Sequence, residues 1–150
     1  HRTNSNCWLS HTESPIINKL SNRISKLVGM PLSNAETYHV IHYDKKQEYK
    51  SHYDAYDDDN SIKSNRCLQN GGQRLITVLC YLNNVTKGGA TRFTRLNKNV
   101  QPKKGRLLLF SNVYGGTNIK HPLSEHSGTP VINGQKYAFN LWFRENTVNK

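Results

Sequence analysis

Apolar and polar positions divide the chain into one helical stretch followed by a series of strands. Ile17, Leu20, Ile24 and Leu27 recur at helical spacing and mark a single apolar face. Ser14-Pro15 ahead of them reads as a cap with proline at the first helical position, and Gly29 followed by Pro31 closes the element. Helix signals are confined to this first third. Strand patterns then follow at Tyr38–Tyr43, 74–82, 90–93, 106–110 and Lys136–Arg144, with Asn83-Asn84 and Gly88-Gly89 as turn chemistry. Residues 57–72 are polar and glycine-bearing and read as a long loop, a candidate lid. One helix beside many antiparallel strands predicts a mainly β fold with a flanking helix, either a sandwich or a barrel.

Composition narrows the function classes. A chain of 150 residues has room for one core, so residues 1–150 are expected to form a single domain. No apolar run approaches the roughly 18 residues a membrane helix needs, and residues 1–30 lack the layout of a signal peptide. The abrupt opening at His1-Arg2-Thr3 leads us to expect further elements upstream. The net charge of +11 favours polyanionic partners in general, but no aromatic-interleaved basic motif of a nucleic-acid-binding sheet accompanies it. Nucleic acid is therefore not the expected partner. Three cysteines are too few for a disulfide framework or a thiolate zinc site, and Cys80, inside an apolar run, reads as a buried free thiol. Compartment and oligomeric state are not legible.

The chemistry-bearing signals are few. G-x-G-x-x-G, the P-loop, H-E-x-x-H and G-x-S-x-G are all missing. His52-Tyr53-Asp54 would place an imidazole and a carboxylate on the same side if it lay in a strand. One distant histidine would complete a two-histidine, one-carboxylate set, which binds Fe(II) on one face and leaves the other positions open. His126 and His121 are the candidates for that third ligand. His39 and His42 alternate with apolar residues and read as packed or surface side chains, and Asp57 to Asp59 as a solvated tip. In the last strand, alternation puts Lys136, Ala138, Asn140 and Trp142 on one face. A lysine there, if buried, needs an anionic partner, and a dicarboxylate would supply one. Tyr43 and Trp142 also admit plain core readings, and Arg74 that of a strand-end residue with its stem buried.

Several stretches together resemble one family. QEYKSHYD at 47–54, GGQRLITVL at 71–79, GGATRF at 88–93, HSGTPV at 126–131 and NLWFRE at 140–145 follow one another as in the catalytic domain of the prolyl 4-hydroxylases. The ten-residue step from His126 to Lys136 agrees as well. The resemblance implies a double-stranded β-helix (jelly-roll, cupin-like) core and a dioxygenase that uses Fe(II), O2 and 2-oxoglutarate, giving succinate and CO2, with ascorbate as a further cofactor. It implies that His52, Asp54 and His126 bind iron and that Lys136, with Tyr43 and Thr91, binds 2-oxoglutarate. Trp142 would line the mouth of the site, and Arg2, Glu36, Tyr49, Arg74 and Arg144 the peptide groove. Asn4 and Arg144 depart from the residues usual in the family and bear on which peptide is bound. The substrate implied is a proline-containing peptide or protein hydroxylated at C4. The alternatives are a dioxygenase of the same fold acting on lysyl residues or alkylated nucleic acid, and a non-catalytic peptide-binding scaffold.

Overall fold

A computed structural model describes residues 3–150. The elements run β1 (Ser5–Leu9), α1 (Pro15–Val28), β2 (Tyr38–Tyr43), β3 (Tyr49–His52), α2 (Ile62–Gln69), β4 (Arg74–Tyr81), β5 (Lys87–Gly88), β6 (Thr91–Phe93), β7 (Lys98–Val100), β8 (Leu107–Ser111), β9 (His126–Gly128), β10 (Val131–Asn133) and β11 (Lys136–Arg144). A five-stranded antiparallel sheet has the order β1-β2-β11-β4-β8, and a four-stranded one the order β3-β9-β6-β7. The short pair β10-β5 accompanies them. The two main sheets face each other as a jelly roll, with Tyr81 of β4 bonded to Thr91 of β6 and Phe93 of β6 edge-on to Phe110 of β8.

The larger sheet is buried on both sides, which explains why β4 and β11 read as nearly continuous apolar runs. On its outer face α1 packs through Ile24 against Tyr38, Val78, Phe139, Leu141 and Phe143. Each large apolar side chain removed from water there contributes about 2 kcal/mol. On its inner face Ile41, Tyr43, Leu79, Tyr81 and Ala138 form a second cluster with Val131. The predicted alternation of β11 is realised, since Phe139, Leu141 and Phe143 pack under α1 while Lys136, Asn140 and Trp142 line cavities on the other side.

The caps of α1 work as expected. Ser14 Oγ accepts from the Ile17 amide, and Gly29 closes the helix at φ 74°. Ile17, Leu20 and Ile24 of the predicted apolar face pack on the core, but its last position differs, with Leu27 66% exposed and Val28 in its place. Helix α2 is a correction to the loop expected at 57–72. Its sequence, IKSNRCLQ, has no apolar stripe, and it is fixed by Ser61 at its N-terminus and by the Arg144 guanidinium on the Cys67 carbonyl. The end of that segment is bolted down as well, by Gly71 to Asn146 and Asn70 to Asn149. Any lid would be limited to its first residues. Cys80 is half-buried and not fully enclosed. Among the described residues no helix is long and apolar enough to cross a membrane.

Candidate active site

Strand register brings the first two candidate ligands together. His52 is the last residue of β3, His126 the first of β9, and the two are cross-strand partners with ring centroids 4.4 Å apart. Asp54 lies just past the end of β3, so the same-face placement expected from a continuous strand comes instead from the bend that follows it. Its Oδ1 lies 3.4 Å from His52 Nε2 and its Oδ2 3.6 Å from His126 Nε2. One ligand atom from each of the three falls within 4.8 Å of the others. Both histidines direct Nδ1 at the carbonyl two residues earlier, Lys50 for His52 and Ser124 for His126, each at 2.8 Å. Nδ1 therefore carries the proton, and Nε2 presents its lone pair beside the carboxylate.

The carboxylate has its own support. Thr77 Oγ1 donates to Asp54 Oδ2 at 2.7 Å, and Asn112 Nδ2 donates to Thr77 Oγ1 at 2.8 Å. Burial alone would raise the Asp54 pKa, but His126, His52 and Arg74 outweigh it and hold the carboxyl well below the usual range. Burial pushes the His126 pKa down, against the pull of Asp54, so its ring is neutral at physiological pH. Two imidazoles and one carboxylate on one side of a point suit a divalent first-row metal with positions left open, Fe(II) above all.

Behind this cluster lies Lys136, only 3% exposed. Among the described residues no carboxylate pairs with it. Its Nζ lies 5.1 Å from the ring centre of Tyr43 and 5.5 Å from that of Tyr81. Burial pushes its pKa down to about 8. Its stem runs beside Gly89, where φ is +71° and an added Cβ would stand 3.4 Å from Lys136 Cδ, so glycine serves both turn and packing. Tyr43, Thr91, His126 and Asn140 line a small cavity with Lys136. Thr91 Oγ1 is engaged with Tyr81 OH at 2.6 Å. A buried ammonium in need of an anion, next to a metal-binding set, fits a dicarboxylate that spans the two. A cleft of about 400 Å³ opens outward from Asp54, walled by Trp8, Tyr49, Tyr53, Arg74 and Trp142.

The sequence profile of the 2OG-Fe(II) oxygenase superfamily matches residues 38–144, which carry every one of these groups except Trp8. The chain belongs to that superfamily. Its cofactors are Fe(II) and 2-oxoglutarate, and the chemistry of the three-residue donor set and of the Lys136 ammonium fits them. The chain is 38% identical over 144 residues to a protein of Acanthamoeba polyphaga mimivirus provisionally named a prolyl 4-hydroxylase, covering 96% of this chain and 59% of the relative. Prolyl 4-hydroxylase 2 of Arabidopsis thaliana is 34% identical over 170 residues, covering 99% and 54%. The chain thus spans little more than half the length of these relatives. The 2OG complex of the viral collagen prolyl hydroxylase vCPH from Paramecium Bursaria Chlorella virus-1 superposes with a TM-score of 0.80 at 28% identity, covering 94% of this chain and 79% of that one.

With the superfamily established, the placement of each expected residue can be compared. His52, Asp54, His126, Lys136, Tyr43 and Thr91 converge. His121 does not, because its Nδ1 accepts from the Leu123 amide and its ring packs on Tyr114. Trp142 lines the outer cleft and not the Lys136 cavity, with the Arg74 guanidinium 3.7 Å above its ring. Of the expected groove residues, Tyr49 and Arg74 line the cleft. Glu36 and Arg144 stand behind it. Glu36 accepts from Arg74 at 2.7 and 2.9 Å and from Arg144 at 2.6 Å. Arg144 further donates to the Cys67 and Gly72 carbonyls and to Tyr56 OH, so this buried guanidinium is a correction to the groove expected from sequence. Arg2 lies outside the described residues. Asp57 to Asp59 are exposed, and Asp57 pairs with Lys120. Sequence reasoning missed Thr77, Asn112 and Tyr81. Thr77, the single hydroxyl amid the apolar residues 75–79, was a readable signal, since a buried hydroxyl demands a partner.

Proposed function

We propose that this chain hydroxylates C4 of prolyl residues in a polypeptide, with 2-oxoglutarate and O2 as co-substrates. The observation that carries the reading is the pairing of a preformed two-histidine, one-carboxylate set with a buried lysine that lacks an internal counter-charge. The names of the relatives supply the prolyl substrate. When bound, Fe(II) and 2-oxoglutarate supply the oxidising chemistry, in which one oxygen atom of O2 enters succinate and the other the product, with loss of CO2.

The chain's own residues hold and orient. His52, Asp54 and His126 would hold the metal through Nε2, a carboxylate oxygen and Nε2. The two Nδ1 tethers and the Thr77–Asn112 relay keep those atoms aimed without rearrangement. Lys136 would neutralise the far carboxylate of 2-oxoglutarate, with Tyr43 and Thr91 as hydroxyl partners. Trp142, Tyr49 and Arg74 would seat the peptide over the metal and exclude water from it. A Pro-rich segment already populates the extended PPII form, which limits the ordering that binding requires.

The test is turnover of 2-oxoglutarate with Fe(II) and ascorbate, with and without Pro-rich peptides, following succinate and peptide mass together. A gain of one oxygen atom on proline, stoichiometric with succinate and lost in His126→Ala, is the expected result. Succinate release with every proline left unmodified would overturn the prolyl assignment.

A further inference from the structure

The positive charge of this protein is segregated. Residues 60–124 contain eleven Lys and Arg and not one Asp or Glu, whereas the other ten cations are matched by all ten acids of the chain. The whole net charge of +11 therefore resides in one contiguous stretch. Six of its cations, Lys87, Arg92, Lys98, Lys103, Lys104 and Arg106, are exposed and form no ion pair among the described residues. Lys87 lies on the short β5, and the other five follow one another from β6 to the start of β8. Arg92 points outward between buried Thr91 and Phe93 on β6, and Lys98 lies on β7, the edge of the smaller sheet. Lys103, Lys104 and Arg106 lie on the connection from β7 to β8, the edge of the larger sheet.

One end of this ridge meets the cleft, whereas residues 103–106 lie at its other end, bonded to Tyr81 at the far end of β4 from Arg74. Arg95, in the β6–β7 turn, reaches Glu125 at 2.9 Å, and Glu125 accepts from Tyr53 OH at 3.5 Å. Lys120 Nζ lies 4.4 Å over the Tyr53 ring, and Tyr53 is a wall of the cleft. Arg95 and Lys120, which flank Tyr53, carry acidic partners, Glu125 and Asp57, while the six cations of the ridge carry none among the described residues. We propose that this ridge binds an acidic tract of the substrate polypeptide, so that the preferred proline is flanked by Asp- or Glu-rich sequence. The proposal rests on the prolyl hydroxylase reading above and adds the charge of the substrate to it. The end that meets the cleft favours a polypeptide over a nucleic acid, because a chain seated at the metal can extend from there onto the ridge. Six extended residues span about 20 Å, enough to meet several cations at once.

The experiment uses Pro-rich peptides identical except for a six-residue flank, Glu or Gln, placed on either side of the proline. At 50 mM salt the Glu-flanked peptide should show a KM at least tenfold below its Gln counterpart with kcat unchanged, and the preference should shrink severalfold at 300 mM salt. The triple substitution K98Q/K103Q/K104Q should remove the preference and leave turnover of the Gln-flanked peptide intact. Equal KM values for both flanks, or a preference that persists in the triple variant, would overturn the proposal. If no peptide is hydroxylated, the prolyl reading fails separately, and fluorescence anisotropy of the labelled Glu-flanked peptide still decides the surface. Saturable binding lost in the triple variant supports the ridge, and absence of binding overturns it. Tighter binding of a single-stranded oligonucleotide that displaces the peptide would also overturn it in favour of nucleic acid.

Discussion

Strand β11 begins and ends on a buried cation, and the two are opposites. Arg144 closes the strand with its guanidinium shared among Glu36, two backbone carbonyls and Tyr56. Lys136 opens it with an ammonium that faces two aromatic rings and no carboxylate. Both are almost wholly removed from water. A cation whose partners are all internal is part of the scaffold. One whose desolvation is left uncompensated is kept for something that comes from outside. The contrast separates an end of the strand that is scaffold from the end to which the proposed function assigns an anion.

Substitution should separate the two ends by sign. Lys136→Met is expected to raise the apparent KM for 2-oxoglutarate about a hundredfold, the equivalent of roughly 3 kcal/mol for removing one member of a buried charge pair. The same change should leave thermal stability unaltered or raise it by about 1 kcal/mol, since it deletes an unpartnered buried charge. Arg144→Met should do the reverse. Stability in urea should fall by about 3 kcal/mol, with the 2-oxoglutarate KM nearly unchanged; a stable Arg144→Met variant would break the comparison. Thr77→Val acts at one remove. It strips a donor from Asp54 and should weaken Fe(II) binding about tenfold, measured by anaerobic metal titration.

The smallest effect is that of pH. Lys136 has a folded pKa of about 8 against an ordinary 10.5. Above pH 8 the folded protein loses this proton first, so affinity for 2-oxoglutarate should decline by at most tenfold per pH unit. Between about pH 8 and 10.5 the unfolded chain holds the proton that the folded one has released, so this group's contribution to ligand-free stability rises with pH across that window. Both trends should vanish in Lys136→Met. Anaerobic binding and denaturation series across pH 7 to 10 would show a flat profile if Lys136 were not the titrating group.

What the sequence discloses about this molecule follows the range of the interactions involved. The boundaries of β2 and β11 and both caps of α1 are readable because they depend on neighbours within a few positions. His52, Asp54, His126 and Lys136 are readable because their order and spacing are those of a known family. Helix α2 is not, since its C-terminal carbonyl is satisfied by a side chain 77 positions away. The burial of Arg144 is equally hidden. Its bond to Glu36 spans 108 positions, and a cation at a strand end looks from sequence like one in solvent. The Thr77–Asn112 relay joins β4 to the residue just past β8, two strands whose pairing no local pattern specifies.

The guanidinium of Arg144 also sets how this protein could be altered. It grips the end of α2 with one edge and, through the Glu36 that it shares with Arg74, steadies the cation stacked on Trp142 in the cleft. A length change in 57–72 would be transmitted along that chain and would re-aim Arg74. If the proposed function holds, grafting that segment between homologues is a route to new peptide preferences in which no residue lining the cleft is exchanged and the metal corner is left as it stands.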